Sequence, residues 1–368
     1  MQTRTNTIIS CAVGVAVLSI IALRGGNPNV AYEIGEEQIP SAETQHINHL
    51  VRQFQQQVVV QDDHPTPSPS TRNQLFGCVR AELAVVENLA AELSVGIFQP
   101  GARYPAWVRF SSNADPHAAG EPDLINMAIK LLGVAGQKLY PLDAPNHGSQ
   151  DLLLVSQPAF TFPDVQTYAQ AFEAFTANKS LQFYFNPFNP NVNLFFSARN
   201  TAPQPDSLLY TRWWSAVPYA YGENRAVKYS ARPCKKSSQR ETQQASDHQN
   251  QLKQQLGNGA GCFEFMLQFQ VDAQKLPVED PSIVWDEFLA PFEPVALLTI
   301  EAQRFDSAEQ MKFCENLNYH PWRVRTEHRP LGGINRAYRE VYSTLSDIRH
   351  RAAGRAATEP RELQVFGP

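Results

Sequence analysis

The stretch Leu331–Arg351, LGGINRAYREVYSTLSDIRHR, decides how the rest of the chain is read. Ile334, Tyr338, Val341, Tyr342, Leu345 and Ile348 recur at helical spacing and form one apolar stripe. Gly332-Gly333 breaks the chain before it, and Asn335 is expected to be the N-cap. The stripe carries two tyrosines one turn apart, with arginines at 336, 339, 349 and 351. Guanidinium groups around a phenol favour its ionised form, because opposite charge stabilises the phenolate.

Outward from this helix, composition sets the limits. The 368 residues suffice for one large domain or two ordinary ones, and a hydrophobic content of 43% is that of a globular protein. A net charge of −5, with no basic block interleaved with aromatics, gives no footing for a nucleic-acid partner. Proline (27) outnumbers glycine (19), which predicts many irregular connections.

The N-terminus reads as a targeting segment. Ile8–Leu23 (IISCAVGVAVLSIIAL) is apolar or small throughout, with Arg4 before it and Arg24-Gly25-Gly26 after it. It is short for a spanning helix and long for a signal core. Residues 1–26 are therefore assigned as a signal peptide or a membrane anchor, and the protein as exported (periplasmic or secreted) or membrane-anchored. Cys11 lies too early to be a convincing lipoprotein cysteine. Cys78, Cys234, Cys262 and Cys314 lack paired metal spacing. An exported chain could pair them in an order the sequence does not specify; buried free thiols are the slightly favoured reading.

Residues 27–75 read as a peripheral arm. Ala42–Val60 has helical spacing through Ile47, Leu50, Val51 and Phe54, while His64-Pro-Thr-Pro-Ser-Pro-Ser breaks regular structure. His46 and His49 are read as surface residues. From Gly77 the pattern turns strand-like: CVRAELAV, LSVGIF, AWVRFS, MAIKLLGV, DLLLV, and later CFEFMLQFQV and PVALLTIEAQ. Val165–Ala177 and the aromatic stretch Leu181–Phe196 have helical spacing. Lys235–Gly261, rich in Gln, Ser and Lys, reads as a solvated loop or frayed helix. Strands, helices, strands and helices in that order predict an α+β fold, an antiparallel sheet system with helices at one side.

A family resemblance is carried by several of these stretches. FCENLNYHPWRV…EHRPLGGINRAYREVYSTLSDIRHR resembles the C-terminal half of the short, catalase-related haem proteins. PGARYPAWVRFSSNAD resembles their PG-x-x-YPAWVRFSN segment, DSLLYTRWWSAVPYAYGENRAVKYSARP their Y-W-S…KYS-x-x-P run, and LPVEDPSIVWDE their P-x-E-D-P…W-x-E turn. MAIKLLGV and QDLLLVSQPAFTFPD stand where that family has its second barrel half and distal wall. The resemblance runs from about Gly35 to Arg351. It implies a closed antiparallel β-barrel with surrounding helices, spanning residues 76–352, followed by a C-terminal tail at 353–368.

It also implies a haem cofactor. A phenolate on a packed helix is a ligand that haem iron accepts; Tyr342 matches the proximal ligand, and Arg349, seven residues on, a propionate partner. Arg109 matches a second propionate arginine, and Arg72 is assigned to the same role. Tyr338 stands where the family tends to have an arginine supporting the phenolate. Without the resemblance, Tyr342 is equally well an ordinary core tyrosine.

The distal half departs from the pattern. The family reads roughly R-x-x-H-x-K-x-x-G-C-V before its first strand, and here the sequence is TRNQLFGCVRAEL. Counted from Arg72, the histidine position holds Leu75; counted back from Gly77, it holds Arg72. The distal asparagine position holds Ser156, expected to face the distal space, and the D-x-R-G-M/F-A motif reads Asp123-Leu-Ile-Asn126-Met-Ala. A base that takes a proton from peroxide is what such a site needs; Arg72 can only polarise the substrate, and His64 on the Pro-rich arm is read as solvated.

Three functions follow. The first is a haem protein with weak or altered peroxide chemistry, of peroxidase or catalase type, with a peroxide or hydroperoxide substrate. The second is a lipid hydroperoxide enzyme like the catalase-related allene oxide synthases, with Leu181–Phe196 lining an apolar channel or simply packing in the core. The third is a non-enzymatic catalase-fold protein. His320 and His328 are expected to hydrogen-bond the chain approaching the Tyr342 helix, and Glu279-Asp280 to cap a turn. His117 and His147 are assigned to loops.

Overall fold

The computed structural model describes residues 33–60, 74–112, 124–140, 148–188, 190–199, 205–234, 247–352 and 359–367, with backbone alone at 57–60, 197–199 and 349–352. Arg72, His64, His117, His147 and the segment Ile8–Leu23 lie outside these residues, as does the side chain of Arg349.

Nine strands form one antiparallel sheet: β1 (Gln74–Val85), β2 (Arg103–Ser112), β3 (Ile125–Leu132), β4 (Ser149–Val155), β5 (Trp213–Trp214), β6 (Tyr219–Ala220), β7 (Ala226–Pro233), β8 (Gly261–Phe269) and β9 (Phe292–Ile300). The order is β5-β4-β3-β2-β1-β9-β8-β7-β6, and β5 also pairs with β7. Eight strands therefore close into a barrel, and β6 extends the far end of β7. Closure leaves no long row of unpaired backbone groups at an edge. Burial is nearly continuous along β7 and β3, because helices and loops cover the outside of the barrel as its core fills the inside. At Gly77 β1 bulges against β2. A Cβ there would sit 2.7 Å from the Phe305 ring and 2.8 Å from Leu252, so only glycine lets the helix layer approach this strand.

Among the described residues, seven helices flank the barrel: α1 (Glu43–Val60), α2 (Val165–Thr176), α3 (Ser180–Tyr184), α4 (Val192–Arg199), α5 (His248–Asn258), α6 (Ala308–Asn316) and α7 (Gly333–Ala352). α1 lays Ile47 and Leu50 into the core and packs on α2 and α7. No helix among the described residues is long and apolar enough to cross a membrane.

Several expectations are corrected. Leu93–Phe98 is not a strand: a 3-10 turn over Ala91–Leu93 and Gly96 at φ 57° curl it, so that Ile97 and Phe98 drop into the core. The described part of Lys235–Gly261 is an ordered helix. Asp247 caps α5 by accepting from Asn250 N, and Leu252 and Leu256 are fully buried. Two apolar residues one turn apart are enough to seat a polar helix.

The cysteines are not free thiols. Cys78 of β1 pairs with Cys314 of α6, and Cys234 with Cys262 across the β7–β8 connection. Beside the first of these, Phe366 and Leu363 of the chain end pack against Trp107 and Phe313.

Candidate functional site

Helix α7 is fixed before its tyrosines are placed. Gly332 takes φ 85°, and a Cβ there would lie 2.5 Å from Val278 O. Glu279 accepts from Gly333 N at 2.9 Å, holding the negative charge at the helix N-terminus. Arg336, in the first turn, is ringed by Glu37, Glu43 and Glu279. These carboxylates hold its guanidinium more firmly protonated, against the opposing effect of burial. Asn335 is not the N-cap. It is fully buried, and its Nδ2 donates to Pro218 O and Leu331 O at 2.8 Å each. His320 secures the next turn. Its Nδ1 accepts from Trp322 N at 3.1 Å, so Nε2 carries the proton and faces Arg339 O at 3.3 Å and Ser343 Oγ at 3.2 Å. Burial, with Arg323 nearby, pushes its pKa down to about 3, and the imidazole stays neutral. It thus bonds the Tyr342 helix itself. His328, by contrast, accepts from Ile97 N at 3.2 Å, far from α7 in sequence.

With the helix seated, Tyr338 and Tyr342 face a cleft with about 1090 Å³ of atom-free space, its mouth included. The opposite walls come from Arg109 and Ser111 of β2, Asn126–Ala128 of β3, Leu153–Val155 of β4, the loop after β4, Tyr219 of β6 and the segment carrying Tyr319. The lining is mainly apolar, with a few polar groups.

Four phenols line this space: Tyr219, Tyr319, Tyr338 and Tyr342. Burial raises the first three above the usual tyrosine range. An ionised Tyr342 raises Tyr219 and Tyr338 further, and Tyr168 behind them. Arg109 is the guanidinium on the wall. Burial lowers its pKa, while Tyr319, Glu315 and Tyr342 oppose that shift. Its Nε is buried without a hydrogen-bond partner among the described residues. An uncompensated buried guanidinium N–H is expensive, and its presence on a cleft wall fits an anionic ligand.

The predicted residues are brought together only in part. Arg109 and Tyr342 share the cleft. Ser156 does not line it. The strand ends at Val155, Ser156 N donates to Ile125 O at 3.0 Å, and the next residue, Gln157, takes the place on the wall. Arg349 continues α7 one face-repeat beyond Tyr342. No histidine is among the described residues lining the cleft, and Leu75 packs in an apolar cluster with Trp107 and Tyr319. Leu181–Phe196 does not line the cleft either: Leu181, Phe185, Phe188 and Phe196 are exposed.

The barrel with its helices matches solved structures. A fungal catalase aligns with 15% identity over 88% of this chain and 66% of its own, with a TM-score of 0.59. The fold is that of the catalases. A bacterial catalase aligns with 14% identity over 94% of this chain and 70% of its own (TM-score 0.56). Catalase A from Saccharomyces cerevisiae aligns with 16% identity over 89% and 70% (TM-score 0.57). The chain thus spans about two thirds of the length of these catalases. No protein-family model and no curated protein sequence matches it.

Reading the sequence missed Tyr219, Tyr319 and Gln157 as cleft residues. Tyr219 stood in the quoted run WWSAVPYAYG and Tyr319 in NLNYHPW. Gln157 carried no signal, because its place depends on where β4 ends.

Proposed function

We propose that the cleft would hold a haem whose iron Tyr342 would ligate, and that the protein acts weakly or in an altered way on peroxide or hydroperoxide. The observation that carries this reading is the pairing, in one cleft of a catalase-like fold, of Tyr342 with the buried, unpartnered Nε of Arg109. Arg109 supplies the cation that a buried propionate needs, and Arg349 and Arg72 are assigned the same task from the sequence. A bound haem supplies redox-active iron for peroxide chemistry. The chain's own contribution is then positional. α7 presents one phenol, Tyr219 and Tyr338 stay neutral beside it, and the apolar wall of Met127, Leu153, Leu154 and Val217 limits water.

The other side of the cleft accounts for the weak chemistry. Gln157 can donate and accept hydrogen bonds but cannot take up a proton, and no histidine is among the described residues of the lining, which supports slow proton transfer there. The apolar wall also favours an organic hydroperoxide over hydrogen peroxide, which keeps the lipid hydroperoxide reading as the second choice. The disulfides Cys78–Cys314 and Cys234–Cys262 support an oxidising compartment, and with Ile8–Leu23 they support export or anchoring.

The test is an ultraviolet–visible titration of the purified protein with haemin. A Soret band of a high-spin ferric tyrosinate complex is expected, and Tyr342→Phe is expected to lose it. Retention of full haem by Tyr342→Phe overturns the ligand assignment. Hydrogen peroxide turnover as high as that of a histidine-bearing catalase overturns the account of the distal wall. Absence of any band in the native protein selects a non-enzymatic catalase-fold protein.

A further inference from the structure

The segment Ser180–Ala198, SLQFYFNPFNPNVNLFFSA, contains no charged residue and is bounded by Lys179 and Arg199. It folds as α3, a turn and α4, and it leaves several of its large side chains exposed. Leu181 is 67% exposed, Phe185 48%, Phe188 96% and Phe196 57%; Phe175 of the neighbouring α2 adds 38%. Single exposed apolar residues are ordinary, but this many from one short uncharged segment mark a binding face. Phe183, Tyr184 and Phe195 pack beneath, with ring centroids 5.3 Å apart from Phe183 to Tyr184 and from Tyr184 to Phe195. The exposed rings therefore stand on a packed base. A second exposed turn, at Ile283–Leu289, carries Phe288 but also Asp286 and Glu287.

We propose that the α3–α4 face docks on the surface of a lipid bilayer, its phenylalanines entering the headgroup–acyl boundary. Two features favour lipid over a second copy of the chain. The charges that flank the segment in sequence, Lys179 and Arg199, are both cations, which suit anionic headgroups. The same chain also carries the apolar segment Ile8–Leu23, and the link from Leu23 to Glu33 can span at most about 35 Å. The arm that follows that link leads into α1, α1 packs on α2, and α2 on α3. The proposal is independent of haem binding.

Flotation of the full chain with phosphatidylcholine–phosphatidylglycerol vesicles tests it, with Val15→Asp/Leu18→Asp introduced to disable the N-terminal apolar segment. This chain is expected to float still, and Phe185→Ser/Phe188→Ser to lower its partitioning about tenfold per phenylalanine. Phe188→Ser alone, at a position almost wholly exposed, guards against misfolding of the double variant, with near-ultraviolet circular dichroism unchanged. Failure of the Val15→Asp/Leu18→Asp chain to float, or flotation unaffected by Phe188→Ser, overturns the proposal. So does a dimer in light scattering that Phe188→Ser splits while flotation stays the same, which would make the face a contact between copies.

Discussion

Tyr338 and Tyr342 lie one helical turn apart on the same cleft, with ring centroids 5.5 Å apart. Burial, with Tyr168, Tyr342 and Tyr219 adding to it, raises Tyr338 well above 10, so it remains a neutral phenol. Tyr338→Phe should therefore keep the Soret band that Tyr342→Phe loses; equal loss in both, measured by the same haemin titration, would point to a shared ligand role. A second prediction concerns two histidines. His320 is held near pKa 3 and His328 near 4, both first by burial. The unfolded chain takes up these protons below about pH 6.5, and the folded chain does so only near 3–4. Their contribution is thus complete above pH 6.5 and declines as pH falls from there. Each should remove about 2 kcal/mol of stability between pH 7 and pH 5. Urea unfolding at both pH values should show His320→Gln losing about 2 kcal/mol less than the parent over that interval.

At the scale of elements, the α7 stripe was legible, because Ile334 and Val341 are buried and Tyr338 and Leu345 pack on the core at the spacing the sequence shows. The long strands β1, β2, β3, β4, β8 and β9 were likewise legible as apolar runs. β5, β6 and β7 were not recognised as strands: β5 and β6 have two residues each, and β7 is half polar (Lys228, Ser230, Arg232). Their pairing depends on barrel closure, which no local window reports. Asn335 looked like a cap because caps are chosen by residue type. Its actual role, a buried double donor, needs Pro218, 117 residues away. Ser156 and Gln157 were exchanged for the same reason, since a strand end moved by one residue turns each side chain to the other face. The capping network at α7 makes its own prediction. Arg336→Met leaves Glu37, Glu43 and Glu279 together without their cation, and should lower stability by about 3 kcal/mol in denaturant titration. A change below about 1 kcal/mol would mean that the carboxylates are satisfied by solvent.

For the molecule as a whole, the chain end belongs to the core. Lys130 and Arg323 are fully buried, paired with the buried Asp151, and Glu359 completes the group at 3.2 Å and 2.7 Å. Glu359→Gln leaves two buried cations against one carboxylate and should cost about 3–5 kcal/mol, read as a lower melting temperature; an unchanged melting temperature would show that the tail is dispensable. The order of assembly follows from these long-range partners. β1 waits for β9 before the barrel can close, Cys78 waits for Cys314, and Lys130 waits for Glu359, 229 residues later. Folding therefore has to bring distant parts of the described chain together before the interior is complete, and the pairs farthest apart in sequence carry the largest loop-closure cost.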